Sequence, residues 1–409
     1  MPWAVVGSRN FSQCSKLEGD FVPGSELIGL EESEQVADVF RNGGVLFRQG
    51  FESQRNGVYK VAEFERAFAR YMNTADALAV TSGTAALRVA LAAMNLVPGQ
   101  EVIIPAFTFV ATAEAVIEAG GIPVCVEVDD TLNMDPKAVE ASIGSLTAAV
   151  IVVHMLGTPA RLPEIAKICD TKEISLIEDA AWGCGDSLHN RKLGTWGRMG
   201  AFSFDFAKTM TTGEGGMVVF AKESDAIAAR SWHDHGHESN PAVPRWEDTR
   251  SASGFNFRMM ELQGAVGLAQ LAKLDTVIEK QRSAHAAIWQ ALSTLEGLKL
   301  RNEPEGSHAT CDAFVFEVRD SQTARRCRDA LLSAGGGTKI LPEAVTWHFA
   351  AHWDQMPTLV NQHPGGLRAA FPVSERRLSR SVALPISAIG AGLSPEAIRS
   401  AVESALVSA

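Results

Sequence analysis

Phe202-Ser203-Phe204-Asp205-Phe206-Ala207-Lys208-Thr209-Met210-Thr211-Thr212-Gly213-Glu214-Gly215-Gly216-Met217-Val218 is the stretch on which the reading of this chain turns. An apolar segment runs into a lysine and a Gly-rich turn, and Met217 to Phe220 reads as the strand that follows. A surface lysine is ordinarily a solvated charge on an apolar stem. Lys208 instead has Phe202, Phe204, Phe206 and Met210 as neighbours. Burial lowers an amine's pKa and makes it nucleophilic. The covalent partner of such an amine is an aldehyde, and pyridoxal phosphate is the commonest cofactor of that kind.

Pyridoxal chemistry needs further parts, and the sequence offers candidates for them. Ile174 to Ile177 reads as a short buried strand with Glu178-Asp179-Ala180-Ala181 at its carboxyl end. Ligands of open parallel sheets bind beyond that end. A carboxylate buried there needs a cation, and a pyridinium nitrogen would be one; the plain alternative is an Asp that caps the next helix. Thr81-Ser82-Gly83-Thr84 lies between a strand-like Ala77–Val80 and a helix-like Ala85–Met94. Such a turn presents amides and a positive dipole end to a phosphate, and Thr84 and Ser203 could add hydroxyls.

The order of elements calls for an α/β fold. Strands are expected at 102–105, 124–128, 148–153, 174–177 and 217–220. Helices are expected at 111–119 and 162–170, so the sheet is mostly parallel with helices on both faces. From Met259 to about Ala291 the pattern is helical, with Leu262, Val266, Leu271 and Leu274 on one face. This helix bridges a large domain over 25–270 and a smaller α+β domain over 271–409, after an irregular arm over 1–24.

With these pieces in hand, SGTAAL, IIPAFTFVATAEAV, EDAA, FSFDFAKTMTTGEGGMV and GFNFRM, in that order across about residues 25–290, resemble the DegT/StrS family of pyridoxal-phosphate aminotransferases. That family has fold type I and acts mainly on keto-sugars. The resemblance implies that Lys208 is the Schiff-base lysine and Asp179 the partner of the pyridine nitrogen. It implies that Gly83, Thr84 and Ser203 hold the phosphate and that Phe109 lies against the ring. Asn256 would reach the cofactor phosphate of a second subunit, so the protein would be a homodimer with shared active sites. Phe47-Arg48, Asp234-His235-Gly236-His237 and Trp347-His348 resemble the branch that aminates an eight-carbon keto-sugar acid, the 8-amino-3,8-dideoxy-octulosonate aminotransferases. Where the family places Gln or His, three residues after the aspartate, this chain has Trp182. An indole can donate a hydrogen bond but neither accepts one nor titrates. The dehydratase branch has His in place of the lysine, and Lys208 is retained here.

Composition agrees. The chain has 409 residues, 46% hydrophobic and 21% charged, with a formal net charge of −11. That balance argues against a nucleic-acid surface, and an anionic substrate would have to meet local cations such as Arg48 or Arg258. Six cysteines without metal or redox spacing fit a reducing cytoplasm. No apolar run is long enough for a membrane span, and residues 1–24 show no signal-peptide pattern. His233-Asp234-His235-Gly236-His237 could chelate a metal if extended, but no metal is expected; His235 and His348 are read as substrate-lining. The expected reaction moves an amino group from an amino acid, glutamate by family likeness, to a keto or aldehyde acceptor, a keto-sugar or sugar acid. Lys208 would be its general base and acid. Another pyridoxal reaction, decarboxylation or elimination, and a non-catalytic regulator stand as alternatives.

Overall fold

The computed structural model describes residues 23–240, 242–250 and 252–407. All but the last two residues of the expected arm over 1–24 lie outside them. Seven strands form the main sheet: β1 (Asp76–Val80), β2 (Glu101–Pro105), β3 (Ile122–Val126), β4 (Thr147–Val153), β5 (Ser175–Asp179), β6 (Met199–Ser203) and β7 (Gly216–Phe220). Their spatial order is β1-β7-β6-β5-β4-β2-β3. β7 runs antiparallel to both its neighbours and the other pairings are parallel. The fold is therefore α/β with a mostly parallel sheet, as expected.

Alternation along each strand divides the apolar residues between two faces. Leu78, Ile104, Ile151 and Ile177 join one core, packed with α3 (Gly83–Ala93) and α4 (Ala111–Glu118), while Ile103, Val150 and Val152 join another with α5 (Leu162–Lys172). Ala77, Ala79, Met217 and Val219 meet Phe64 and Phe68 of α2 (Lys60–Met72). These α2 residues follow α1 (Leu30–Arg41). β3 begins two residues earlier than its apolar run suggests, because Pro123 sits in an edge strand, where a missing N–H costs no ladder bond.

After α6 (Glu223–Trp232) comes α7, one helix from Glu261 to Leu292. Its packing differs from the expected leucine stripe. Leu274 is buried, whereas Leu262, Val266 and Leu271 are only partly so. The buried face carries Gly264 and Gly267 instead, where a Cβ would fall 2.6 Å from the Val61 nitrogen and 2.6 Å from the Phe64 ring. The helix approaches α2 through small residues, and larger ones turn outward. Beyond α7, a three-stranded antiparallel sheet of β8 (Leu298–Leu300), β9 (Ala313–Val318) and β10 (Ser381–Pro385) packs with α8 (Ser321–Ser333) and α9 (Pro395–Val407) around its own core.

Candidate active site

β6 and β7 are joined by a wide hairpin, since Ser203 pairs with Gly216. Residues 204–215 therefore hang off the carboxyl end of β6, and Lys208 sits at their tip. Asp205 starts the turn: its carboxylate accepts from the Ala207 amide at 3.0 Å and its carbonyl from Lys208 N at 3.1 Å. Phe204 and Met210 pack with Phe64 and Phe68, away from the amine, and Phe206 is 53% exposed. The lysine is enclosed by a different residue. Its Nζ lies 3.5 Å from the centroid of the Trp182 ring, over the face of the indole. Burial, opposed in part by Asp312 and Asp179, brings Lys208 down from 10.5 to about 8. Near neutral pH a useful share of it is the neutral amine.

Asp179 is the last residue of β5, 6% exposed. Its carboxylate accepts from the Thr112 hydroxyl at 2.9 Å and the Ala181 amide at 3.1 Å. No ion pair to it is formed among the described residues, and burial raises its pKa despite those two donors. A carboxylate enclosed without a bonded cation is what a pyridinium nitrogen would complete.

The phosphate end is built by close packing. Ser82 caps α3, its hydroxyl accepting from Ala85 N at 3.1 Å. A Cβ on Gly83 would fall 2.7 Å from Ser203 Cβ, so glycine lets the start of α3 sit on the end of β6. Thr84, Ser203 and a helix N-terminus then converge on one cup, suited to a dianionic phosphate. Phe109 follows β2 and stacks on Trp347, centroids 6.0 Å apart. Trp347 and His348 reach it through a short ladder, in which Thr108 N donates to the His348 carbonyl at 2.9 Å and Val110 N to the Trp347 carbonyl at 2.7 Å. Burial pushes His348 down to about 4, so its ring is neutral.

Gly83, Thr84, Phe109, Asp179, Trp182, Ser203, Lys208 and His348 all line one cavity of about 330 Å³. The other candidates lie elsewhere. Arg48 is buried, donating to Glu65 at 2.7 Å and to the Ala79 carbonyl at 3.0 Å. Arg258 is ion-paired with Asp234 at 2.5 Å, which Arg245 also binds. His235 and Asn256 are exposed, outside the cavity of their own chain. His233 and His237 meet the Arg230 carbonyl and Asp248. Sequence reasoning missed a second lysine beside the Trp182 indole: Lys339 Nζ is 5.0 Å from the ring centroid and 2.8 Å from Asp312. Nothing local in the sequence marks it.

Comparison with known proteins gives the family and the fold. Residues 48–405 match the DegT/DnrJ/EryC1/StrS aminotransferase family. The chain is 31% identical to GDP-perosamine synthase of Vibrio cholerae over 337 residues, covering 82% of this chain and 87% of that one. It is 36% identical to 3-amino-5-hydroxybenzoate synthase of Amycolatopsis mediterranei over 282 residues, 68% and 70% of the two chains. The crystal structure of a 3-amino-5-hydroxybenzoic acid synthase superposes with a TM-score of 0.80 at 28% identity, over 96% of this chain and 100% of the other. The chain belongs to the DegT/DnrJ/EryC1/StrS aminotransferase family, with the type I fold, and it is an aminotransferase that uses pyridoxal phosphate.

Proposed function

We propose that the enzyme transfers the amino group of glutamate to a keto-sugar or keto-sugar acid, and that it works in the cytoplasm as a homodimer. The observation that carries this reading is one cavity holding both a lysine amine brought down to about 8 and a buried carboxylate with no ion-pair partner among the described residues. Bound pyridoxal phosphate supplies an electron sink. Asp179 would hold the pyridine nitrogen protonated. Gly83, Thr84 and Ser203 would grip the phosphate, with Phe109 beside the ring. Lys208 would carry the cofactor; once freed by the donor's amine, its Nζ would take the proton from the donor α-carbon and return it in the second half of the transfer.

The acceptor class rests on the relatives, one of which is named GDP-perosamine synthase, and on the exposed Trp347, 63% accessible, stacked on the cavity residue Phe109. Asn256 is exposed beside Phe255 and lies outside the cavity of its own chain, which supports a role toward a second subunit. Four of the five described cysteines are buried and all are free, in keeping with a reducing compartment. No described helix is long and apolar enough to cross a membrane.

The test is a pair of half-reactions. Glutamate added to the loaded enzyme should release 2-oxoglutarate and leave pyridoxamine phosphate, both read by mass spectrometry. The aminated enzyme is then offered neutral keto-sugars, keto-sugar acids and simple keto acids. Release of carbon dioxide or ammonia in place of 2-oxoglutarate would refute the transfer, and turnover of simple keto acids alone would refute the sugar acceptor.

A further inference from the structure

Asp312 and Lys339 form a buried ion pair of 2.8 Å, with side chains 1% and 14% exposed. The pair is anchored in the small sheet: Asp312 directly precedes β9, and the Lys339 amide donates to the Ala383 carbonyl on β10 at 2.8 Å. Yet it stands beside Trp182, whose indole lines the catalytic cavity. Lys339 Nζ lies 5.0 Å from the centroid of the indole that Lys208 faces at 3.5 Å. The segment carrying Asp312 is fixed there too. The Thr310 hydroxyl donates to the Trp182 carbonyl at 3.4 Å, and a Cβ on Gly157 would fall 2.6 Å from Thr310 Oγ1 and 2.8 Å from Asp312 N.

A buried ion pair adds little to stability compared with apolar residues of the same shape. Its place beside an amine whose protonation is the chemistry gives it another use. We propose that Asp312 and Lys339 are a positioning pair for Lys208, whose opposite charges, acting from the small sheet across the indole of Trp182, set how readily the lysine nitrogen holds a proton. The inference rests on Lys208 being the cofactor-bearing lysine. Trp182 itself offers no titrating group, and Lys339 is the charge that lies against its ring besides Lys208.

The charged groups around Lys208 are Asp179, Asp205, Asp312 and Lys339, and Glu214 and His348 line the same cavity. Asp205 belongs to the turn of Lys208 itself, Asp179 is held by Thr112 and Ala181, and His348 is neutral. Asp312 and Lys339 are the charges that arrive from the small sheet, so packing of that sheet against the main one delivers both at once.

The test reads the pH midpoint of the visible absorbance of the bound cofactor in the holoenzyme. Lys339→Met removes the cation that opposes protonation, so the midpoint should rise by about half a unit to one unit; Asp312→Asn should lower it by a similar amount. The double variant should lie near the wild type, and Lys339→Arg should keep the midpoint. If Lys339→Met does not fold, Lys339→Gln should report the same rise. Single variants that shift the midpoint in the same direction, or leave it unmoved, overturn the proposal. A wild-type holoenzyme without visible absorbance removes the role of Lys208 and the proposal with it, whereas the former results leave that role standing.

Discussion

Trp182→Phe weakens the cation-binding face over Lys208 while keeping an aromatic ring there. The amine lies 3.5 Å from the indole centroid, in an enclosed site. A desolvated cation–π contact on tryptophan is worth about 2 kcal/mol, and phenylalanine binds cations less well. Loss of roughly half of that, about 1 kcal/mol, corresponds to about 0.7 pH unit. The indole favours the ammonium, so weakening it lowers the Lys208 midpoint further, from about 8 towards roughly 7. The assay is the rate of cyanate carbamylation of Lys208 in the cofactor-free enzyme against pH, followed by peptide mass spectrometry, since the neutral amine is the reactive form. An inflection in Trp182→Phe at or above the wild-type value would refute the contact: the ring would then only exclude water, and the smaller side chain would let water back in. A wild-type inflection close to the ordinary 10.5 would refute burial of the amine altogether.

Other expectations follow from the same contacts. Asp179→Asn should weaken pyridoxal phosphate binding by about 100-fold or more, as loss of one partner of a buried pair does; equilibrium dialysis measures it, and unchanged affinity would count against the pyridine role. Lys208 titrates lower in the folded chain than unfolded, so the unfolded chain binds more protons between pH 8 and 10.5 and stability rises with pH through that window. Cofactor-free Lys208→Met lacks that rise, so its advantage over wild type, about 3 kcal/mol below the window, should vanish above it in urea denaturation; a pH-independent gap would contradict this. Arg48→Met leaves the buried Glu65 with the Ala79 amide and the longer contact to Arg230, and should destabilise the fold by about 3 kcal/mol without raising the Michaelis constant for either substrate. Mixing inactive Lys208→Ala and Asn256→Ala chains should restore some activity, and none, with subunit exchange confirmed, would exclude a shared site.

The parts of the site that were legible in the sequence are those set by local grammar. Strand ends followed by small turns placed Asp179 and the Gly83–Thr84 cup, the offset from Lys208 placed Ser203, and all of them meet in one cavity. What long-range packing decides was not legible. Arg48 looked free for a substrate until Glu65 came beside it through the packing of α2, and Arg258 until Asp234 did. The phenylalanines around Lys208 suggested how its amine is buried, but Phe204 packs with Phe64 and Phe68, Phe206 is exposed, and it is Trp182 that covers the amine. Lys339 and Asp312 reach that indole only because β9 and β10 bring them there. The glycine face of α7 was hidden for the same reason: close approach to α2 selects Gly264 and Gly267, while the leucine stripe that periodicity favours is only partly buried.

The central claim is that Lys208, and no other lysine, carries the cofactor. Borohydride reduction of the holoenzyme fixes the cofactor to its lysine, and peptide mapping by mass spectrometry locates it. The account predicts the label on the peptide that contains Lys208, and its absence from Lys208→Ala. A label on Lys339, the other lysine within reach of the Trp182 ring, or on any lysine outside the cavity, would contradict it.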